Sequence, residues 1–438
     1  MSQPKEYRPG QLDPFDYPIE STDDLVQIFK NAEKPRSEFR VGLEHERFVF
    51  LLKEQCVLPY EGEKSVESFL NQLADNESAT WTKVLESGHT VALMGQGESV
   101  TLEPGGQIEL SGAPLKTIHE IHHELLVYED RLDKVAQYMG VGFILNGFHP
   151  WAKQGDFSWV PKERYEIMRR YMPKVGSRGL DMMLRTCTVQ ANLDYENEAD
   201  MVSSVRTALA LAPLSTLLFA ASPFKEGRLT GWLSERTAVW QDTDKNRSGF
   251  LGGVFDSDFG YEKWVQFALD VPMYFIRRDG RYIDQTGTSF RNFMTHGFEG
   301  NQATVRDFWD HLTTIFTEVR LKPYIELRSA DCGPWSHLRA LPAFWKGLLY
   351  DATSKKEAFE LMDNPNEVEL QNLQIDVAQK GFKARYRGQD IGDIIDQVLP
   401  LATKGLPEDE RKFLHPLLEI ANRRETFAEA MIRVTSVV

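Results

Sequence analysis

The sequence predicts an α+β fold, and three observations carry that prediction. Four segments, Val41–Phe50, Thr101–Ser111, Arg185–Asp194 and Tyr324–Asp331, alternate apolar and polar residues with the period of a half-buried strand. In each of them the polar face carries carboxylates, carboxamides or arginine rather than a mixed surface. Beyond Trp335 the pattern turns helical, through Lys356–Met362, Asp390–Leu399 and Glu408–Ile432. No internal repeat, low-complexity stretch or clear linker divides the 438 residues, and 42% apolar with 26% charged residues is ordinary globular composition.

Residues 1–20 read as an irregular lead-in rich in Pro, Tyr and Asp, without the basic and apolar regions of a signal peptide. Ser21 and Asp24 form a cap for an amphipathic helix to about Ala32. In Val41–Phe50, Glu44 and Glu46 share one face and Leu43 and Val49 the other, with His45 pointing away from the glutamates. Two like charges on one face resist burial unless something positive lies between them. The alternatives are a solvent-facing edge strand and a divalent-metal site. A helix follows near Val66–Ala74.

Thr101–Ser111 is two runs joined through Pro104, Gly105 and Gly106, a hairpin that sets Glu103 opposite Gln107 and Thr101 opposite Glu109. Pro114 suits the first turn of a long helix ending near Gly140, with Ile118, Ile121, Leu125, Tyr128, Leu132 and Val135 as its apolar stripe. That helix contains His119-Glu120-Ile121-His122-His123, a match to the H-E-x-x-H zinc-hydrolase pattern. At about 100° per residue, His119 and His123 point away from the stripe, so they read as exposed unless another layer covers them.

Val141–Asn146 is a further strand. The segment 161–185 holds Lys162, Arg164, Arg169, Arg170, Lys174, Arg178 and Arg185 against Glu163, Glu166 and Asp181, either a solvated face or a positive field for an anion. Arg185–Asp194 lines up Thr186, Thr188, Gln190, Asn192 and Asp194 on one face, oxygen donors without further charge. Ala208–Ala221 is a buried helix too short to span a bilayer. If Ser234–Arg247 is helical, Arg236, Trp240 and Arg247 cluster for carboxylate or phosphate. Met273–Ile276 and Arg281–Asp284 flank an Asp279-Gly280 hairpin turn, and Tyr324–Asp331 puts Glu326 and Arg328 on one face.

If the four alternating segments lie in one sheet, its inner face holds Glu44, Glu46, Glu103, Glu109 and Glu326, with no His or Cys comparably placed. Oxygen ligands in that number select Mg²⁺ or Mn²⁺ over zinc, and more than one ion is needed to balance them. Metals with arginines nearby suit phosphoryl transfer. No G-x-x-x-x-G-K-[ST] loop occurs, and Gly95-Gln96-Gly97 lacks the third glycine of a dinucleotide fingerprint. A net charge of −15 argues against nucleic acid or an anionic membrane as partner. Cys56, Cys187 and Cys332 form no disulfide framework and suit a reducing cytoplasm.

GLEHERFVF, LEPGGQIELSG, RTCTVQANLD, the SER…W…DTDKNRSG segment, VPMYF and YIELRSAD together resemble the plant-type glutamate–cysteine ligases, a group also found in bacteria, over roughly residues 36–340. The resemblance implies a glutamine-synthetase-like catalytic fold: a curved, mainly antiparallel sheet cradling the site, with helices outside. It implies one catalytic domain over 1–438, with 1–35 as lead-in and 340–438 mostly helical, acting as a monomer or homodimer. The implied reaction is the ATP-dependent joining of L-glutamate to L-cysteine through a γ-glutamyl phosphate, the first step of glutathione synthesis. A γ-glutamyl ligase using another amine is the neighbouring alternative, and a zinc hydrolase the remote one.

On matching positions, Glu44, Glu46, Glu103, Glu109 and Glu326 are expected to hold Mg²⁺, with Gln190 and Asn192 adjoining. Arg164 and Arg236 are expected to bind glutamate and its reacting carboxylate, and Arg328 to offset charge on the transferring phosphoryl group. Tyr274 and Trp335 are similar to residues lining the cysteine pocket. Gln285 stands where plant members carry a cysteine, so the resemblance does not extend to their disulfide control.

Overall fold

The structure, a computed structural model, describes residues 15–75 and 81–435; the first fourteen residues of the expected lead-in lie outside them. The strands that matter are β1 (Val41–Leu51), β2 (Thr82–Glu86), β3 (His89–Met94), β4 (Ser99–Leu102), β5 (Ile108–Ser111), β6 (Val141–Ile144), β7 (Thr188–Leu193), β8 (Val319–Leu321) and β9 (Ile325–Asp331). With the short strand Cys56–Val57 they form a ten-stranded sheet in the order β8–β9–β7–β1–β5–β4–β3–β2. Every pair in that sheet is antiparallel. The α+β expectation holds, and all four alternating segments contribute to one sheet.

β1 is central because its two halves serve different neighbours. Val41–Arg47 pairs with β7 and β5, whereas Phe48–Leu51 pairs with β6 and Cys56–Val57. The β4–β5 hairpin has the expected register, Thr101 against Glu109, and the Glu103 N–H donates to Gln107 O at 2.9 Å. Gly106 takes φ +82° in this turn, which favours glycine.

The odd residues of β1 face a helical layer. Helix α1 (Ile118–Met139) brings its predicted stripe, Ile118 to Val135, against the sheet. It starts four residues later than Pro114 would set it, at a capping box between Thr117 and Glu120. Ahead of that cap, Leu115 bridges to Val41. Helix α2 spans Glu163–Tyr171, α3 Glu198–Leu218, α4 Glu235–Trp240 and α5 Trp335–Leu349. α3 is the one described helix long and apolar enough to cross a bilayer, and it is mostly buried in the protein. Its faces pack on β9 and on the helix Glu367–Lys380.

Among the expected elements that come out shorter or broken, two bear on the site. The strand of Arg185–Asp194 begins only at Thr188, because Gly179–Arg185 is helical and Arg185 is tied to Asp181 one turn back at 2.6 Å. The helix of Ser234–Arg247 stops at Trp240.

Candidate active site

The sheet registers bring the predicted residues into rows on one face. Arg320, Glu326 and Asn192 stand side by side across β8, β9 and β7, next to Gly42 of β1. Gln190 stands beside Glu44, and Glu46 beside Glu109 and then Thr101. A Cβ at Gly42 would come 3.3 Å from Asn192 Cβ, so the bare backbone there leaves the row its space.

Hydrogen bonds hold the carboxylates in fixed poses. Gln190 Nε2 and Asn192 Nδ2 donate to the two oxygens of Glu44 at 3.1 and 2.7 Å. Thr188 N–H donates to Glu46 at 3.0 Å, and Thr101 Oγ1 to Glu109 at 2.7 Å. Burial, then the charge of Glu326, pushes the Glu44 carboxyl up to about 7. Burial and the neighbouring Glu103 and Glu109 raise Glu46 well above the usual carboxylate range, and burial with Glu103 raises Glu109. These groups crowd one another as like charges in a half-buried site.

Glu326 differs from the other four. Its oxygens accept from Arg320 and Lys322 at 2.8 and 2.9 Å and from Arg328 at 2.8 Å. Burial would raise its carboxyl, but those three cations overcome it and hold Glu326 well below the ordinary value. Arg320 and Lys322, not among the residues expected from the sequence, stand against Glu326. Their signal was the alternation of Val319-Arg320-Leu321-Lys322 just before the Glu326 strand.

Arg236 and Arg164 arrive from outside the sheet, whereas Arg328 stands on β9. α4 presents Arg236 beside Glu46; its Nη2 donates to Arg328 O at 2.9 Å and its guanidinium lies 5.9 Å from the Trp240 ring. Arg328 donates to Gln190 Oε1 and lies 6.0 Å from the same ring. α2 carries Arg164, held at 3.3 Å to Tyr165 Oη and electrostatically beside Glu103. Tyr165 Oη and Lys162 Nζ both donate to Leu102 O, at 2.6 and 3.0 Å, which pins α2 to the end of β4.

Most of the other cations in 161–185 are neutralised locally. Arg178 pairs with Asp181 and Glu235, Arg185 with Asp181 and Glu226, and Arg170 with Glu166 and Asp284. Of the two alternatives for that segment, its cations are mostly paired locally rather than forming one broad positive field.

Arg247 and Trp335 are not where the sequence reading put them. Arg247 is buried beyond the end of α4, bonded to Asp244 at 2.7 Å and stacked 3.8 Å from the Tyr274 ring. It does not join the Arg236–Trp240 face. Trp335 lies behind the sheet: its Nε1 donates to Glu129 at 2.8 Å, and its ring lies 6.3 Å from His45 and 5.3 Å from the Arg47 guanidinium. His45 and Arg47 point opposite to Glu44 and Glu46, so Trp335 cannot line a pocket on the carboxylate face. The cause is the Gly333-Pro334 turn, which sends the chain from β9 over the back as α5. Tyr274 is buried, with Tyr171 5.6 Å away and its hydroxyl 3.7 Å from Met172 Sδ.

The H-E-x-x-H histidines do not converge. His119 Nε2 lies 3.1 Å from Asp409 Oδ2 and its ring packs on Phe413, while His123 is exposed. Among the described residues no three His, Cys, Asp or Glu side chains already close on one point as a metal cage, on this helix or on the glutamate face. Cys187 and Cys332 are buried and free; burial raises the thiol of Cys187 well above its usual value and that of Cys332 to about 12.

The chain matches the model of glutamate–cysteine ligase family 2 over residues 40–434. It is 44% identical over 418 residues to the chloroplastic glutamate–cysteine ligase B of Oryza sativa subsp. japonica, covering 94% of this chain and 83% of that one. The Arabidopsis thaliana chloroplastic glutamate–cysteine ligase is also 44% identical over 418 residues, with 94% and 79% covered. A solved glutamate–cysteine ligase from Francisella tularensis, in complex with AMP, superposes with a TM-score of 0.54 at 11% identity, over 90% of this chain and 84% of that chain, a likeness of fold. By a family match across nearly its whole length, on a sheet that gathers four glutamate-bearing or amide-bearing strands, the chain is an enzyme of the glutamate–cysteine ligase family.

Proposed function

We propose that the protein joins the γ-carboxylate of L-glutamate to the amine of L-cysteine, cleaving ATP to ADP and phosphate through a γ-glutamyl phosphate, as the first step of glutathione synthesis. One observation carries the reading: Glu44, Glu46 and Glu109 on one sheet face and Glu103 at the adjoining hairpin turn crowd a half-buried site beside Arg236 and Arg328.

More than one Mg²⁺ fits that face. The donors are all oxygen, their mutual repulsion calls for positive charge, and Asn192 Oδ1 is buried beside Glu44 with no hydrogen-bond partner. Glu44, Glu46, Glu103 and Glu109 would hold the ions, with Gln190 and Asn192 adjoining; Glu326 would join them by exchanging its cationic partners. Bound there, the ions would neutralise the nucleotide phosphates.

Arg236 and Arg164 orient the glutamate so that its γ-carboxylate oxygen faces the γ-phosphorus of ATP. Arg328, freed from Glu326, offsets charge on the phosphoryl group as it moves. The cysteine amine then attacks the acyl carbon and phosphate leaves with the bond electrons. Tyr274, packed under the end of the helix that carries Arg164, is kept as the candidate wall of the cysteine pocket.

The whole chain is proposed to act as one catalytic domain, since a single buried apolar cluster runs from Leu25 to Ala421. Small-molecule substrates only, a cytoplasmic setting and a monomeric or homodimeric state belong to the same proposal; the plant relatives are named as chloroplastic. The test is ADP release with Mg-ATP and glutamate while the amine is varied. Release that depends on cysteine is the expected result. None with cysteine rejects the reading, and stronger release with another amine assigns a different acceptor.

A further inference from the structure

We propose that Asp331 is the positioning residue for Arg236, fixing where that guanidinium stands over the carboxylate face. The inference deepens the reading above, in which Arg236 binds glutamate, and rests on it for the substrate named in the kinetic test.

Asp331 ends β9, the strand that carries Glu326 and Arg328, and it is 1% exposed. Both its oxygens are occupied by donors from the segments that lead into α4. Oδ2 accepts from Ser222 Oγ at 2.6 Å and from Ala221 N–H at 3.0 Å, and Oδ1 accepts from Ser234 Oγ at 2.8 Å. Ser234 is the N-cap of α4: its Oγ accepts from Thr237 N–H at 3.1 Å. Ser222 Oγ accepts in turn from the backbone N–H of Arg236 at 3.3 Å. The far end of the same residue is fixed as well, since Arg236 Nη2 donates to Arg328 O on β9.

Arg236 is therefore tied to one strand at both ends, its backbone through Ser222 and Asp331 and its guanidinium through Arg328 O. α4 has six residues, too few to hold its own geometry, so its placement comes from such contacts. The space for Asp331 is made by Gly147, where a Cβ would fall 2.2 Å from Asp331 Cγ. A buried carboxylate is tolerated only when its oxygens are satisfied, and here three hydrogen bonds satisfy them. The side chain of Asp331 makes no hydrogen bond to the glutamates, and its three bonds go to the segments that lead into Arg236.

The test is a double-mutant cycle of Asp331→Asn with Arg236→Lys, read as kcat/KM for glutamate alongside the melting temperature. With native Arg236, Asp331→Asn should lower kcat/KM for glutamate about ten- to hundredfold, the range for losing a charged hydrogen-bond acceptor. With Lys at 236 the loss should shrink to less than about threefold, because the misplaced group is already altered. Should Asp331→Asn not fold, Ser234→Ala enters the same cycle, with Ser234→Thr expected to restore the rate. Equal losses in both backgrounds overturn the inference. A crystal structure of the variant decides the point without any substrate: displaced Arg236 supports the inference, and Arg236 still bonded to Arg328 O overturns it. Wild-type protein that makes no product from glutamate and cysteine fails the functional reading alone, and that structure then decides the role of Asp331.

Discussion

Removing one carboxylate from β1 relieves a repulsion as well as deleting a proposed metal ligand, so the two effects should separate in one variant. Glu46 lies near Glu103 and Glu109 in a half-buried site, and only part of that charge is offset by Arg236. Glu46→Gln should raise the melting temperature of metal-free protein while lowering turnover by at least about a hundredfold and raising the Mg²⁺ needed for half-maximal rate. Titrating Mg²⁺ against rate checks this; an unchanged Mg²⁺ dependence removes Glu46 from the metal site. Trp335 makes the opposite case. It touches Glu129, His45 and Arg47 behind the sheet, so Trp335→Phe should cost about 1 kcal/mol of stability through the lost Nε1 hydrogen bond. The KM for cysteine should not move, and a severalfold rise in it would put the indole back in the pocket. Period-two alternation made the faces of Glu44, Glu46, Gln190 and Glu326 legible within each strand. It could not extend to Trp335, because a turn intervenes after Asp331 and the chain changes layers there.

At the scale of elements, legibility in the sequence depends on how local each cause is. The Ser21–Asp24 capping box, the turn at Asp279-Gly280 and the β4–β5 register are set by a few adjacent residues, and they stand as read. Boundaries set by distant partners do not. Gly179–Arg185 is helical with Arg185 bound to Asp181 and Glu226, and α4 ends at Trp240 so that Arg247 can reach Asp244 and Tyr274. α1 illustrates a cost hidden in a well-read element. Its Glu124 accepts from Ala113 N–H at 2.8 Å, its other oxygen is buried without a partner, and burial lifts the carboxyl to about 7, with Glu98 adding to the rise. The unfolded chain ionises this group near its ordinary 4.5, so between there and about 7 the folded state holds a proton the unfolded state lacks. Its contribution to stability is full below that window and is lost as pH rises through it. Glu124→Gln keeps the acceptor without the charge and should make the fall in melting temperature from pH 5 to 8 shallower, with a gain of up to about 3 kcal/mol at pH 8. Parallel pH–melting curves for the two proteins would show that Glu124 is already ionised in the fold.

At the scale of the whole molecule, every candidate site residue lies before the turn that leads into α5 or at its first position, yet the C-terminal helices pack on the helices that back the site. The helices Glu367–Lys380 and Ile391–Lys404 cover α3 and α5, the two helices that back β9, β7 and β1. Their approach is close: a Cβ at Gly347 in α5 would fall 2.1 Å from Ala402 O, and Lys346 reaches Glu410 at 2.7 Å. Leu370, Val377, Ile394, Val398, Leu414 and Leu417 are each at most 1% exposed. At about 1.5–3 kcal/mol for each such side chain, these six alone contribute on the order of 10 kcal/mol, comparable with the whole net stability of a folded domain. A protein ending at residue 350 would keep all the glutamates and arginines of the site but expose the apolar faces of α3 and α5. Expressed alone, it should show no cooperative melting transition, should bind an apolar-surface dye, and should release no ADP with glutamate and cysteine. The released segment 351–438, supplied in trans, should restore a cooperative transition if it docks as it does in the intact chain. A truncated protein that melts cooperatively by itself would show instead that the sheet and the helical layer are separate folding units, and would break the single-domain proposal.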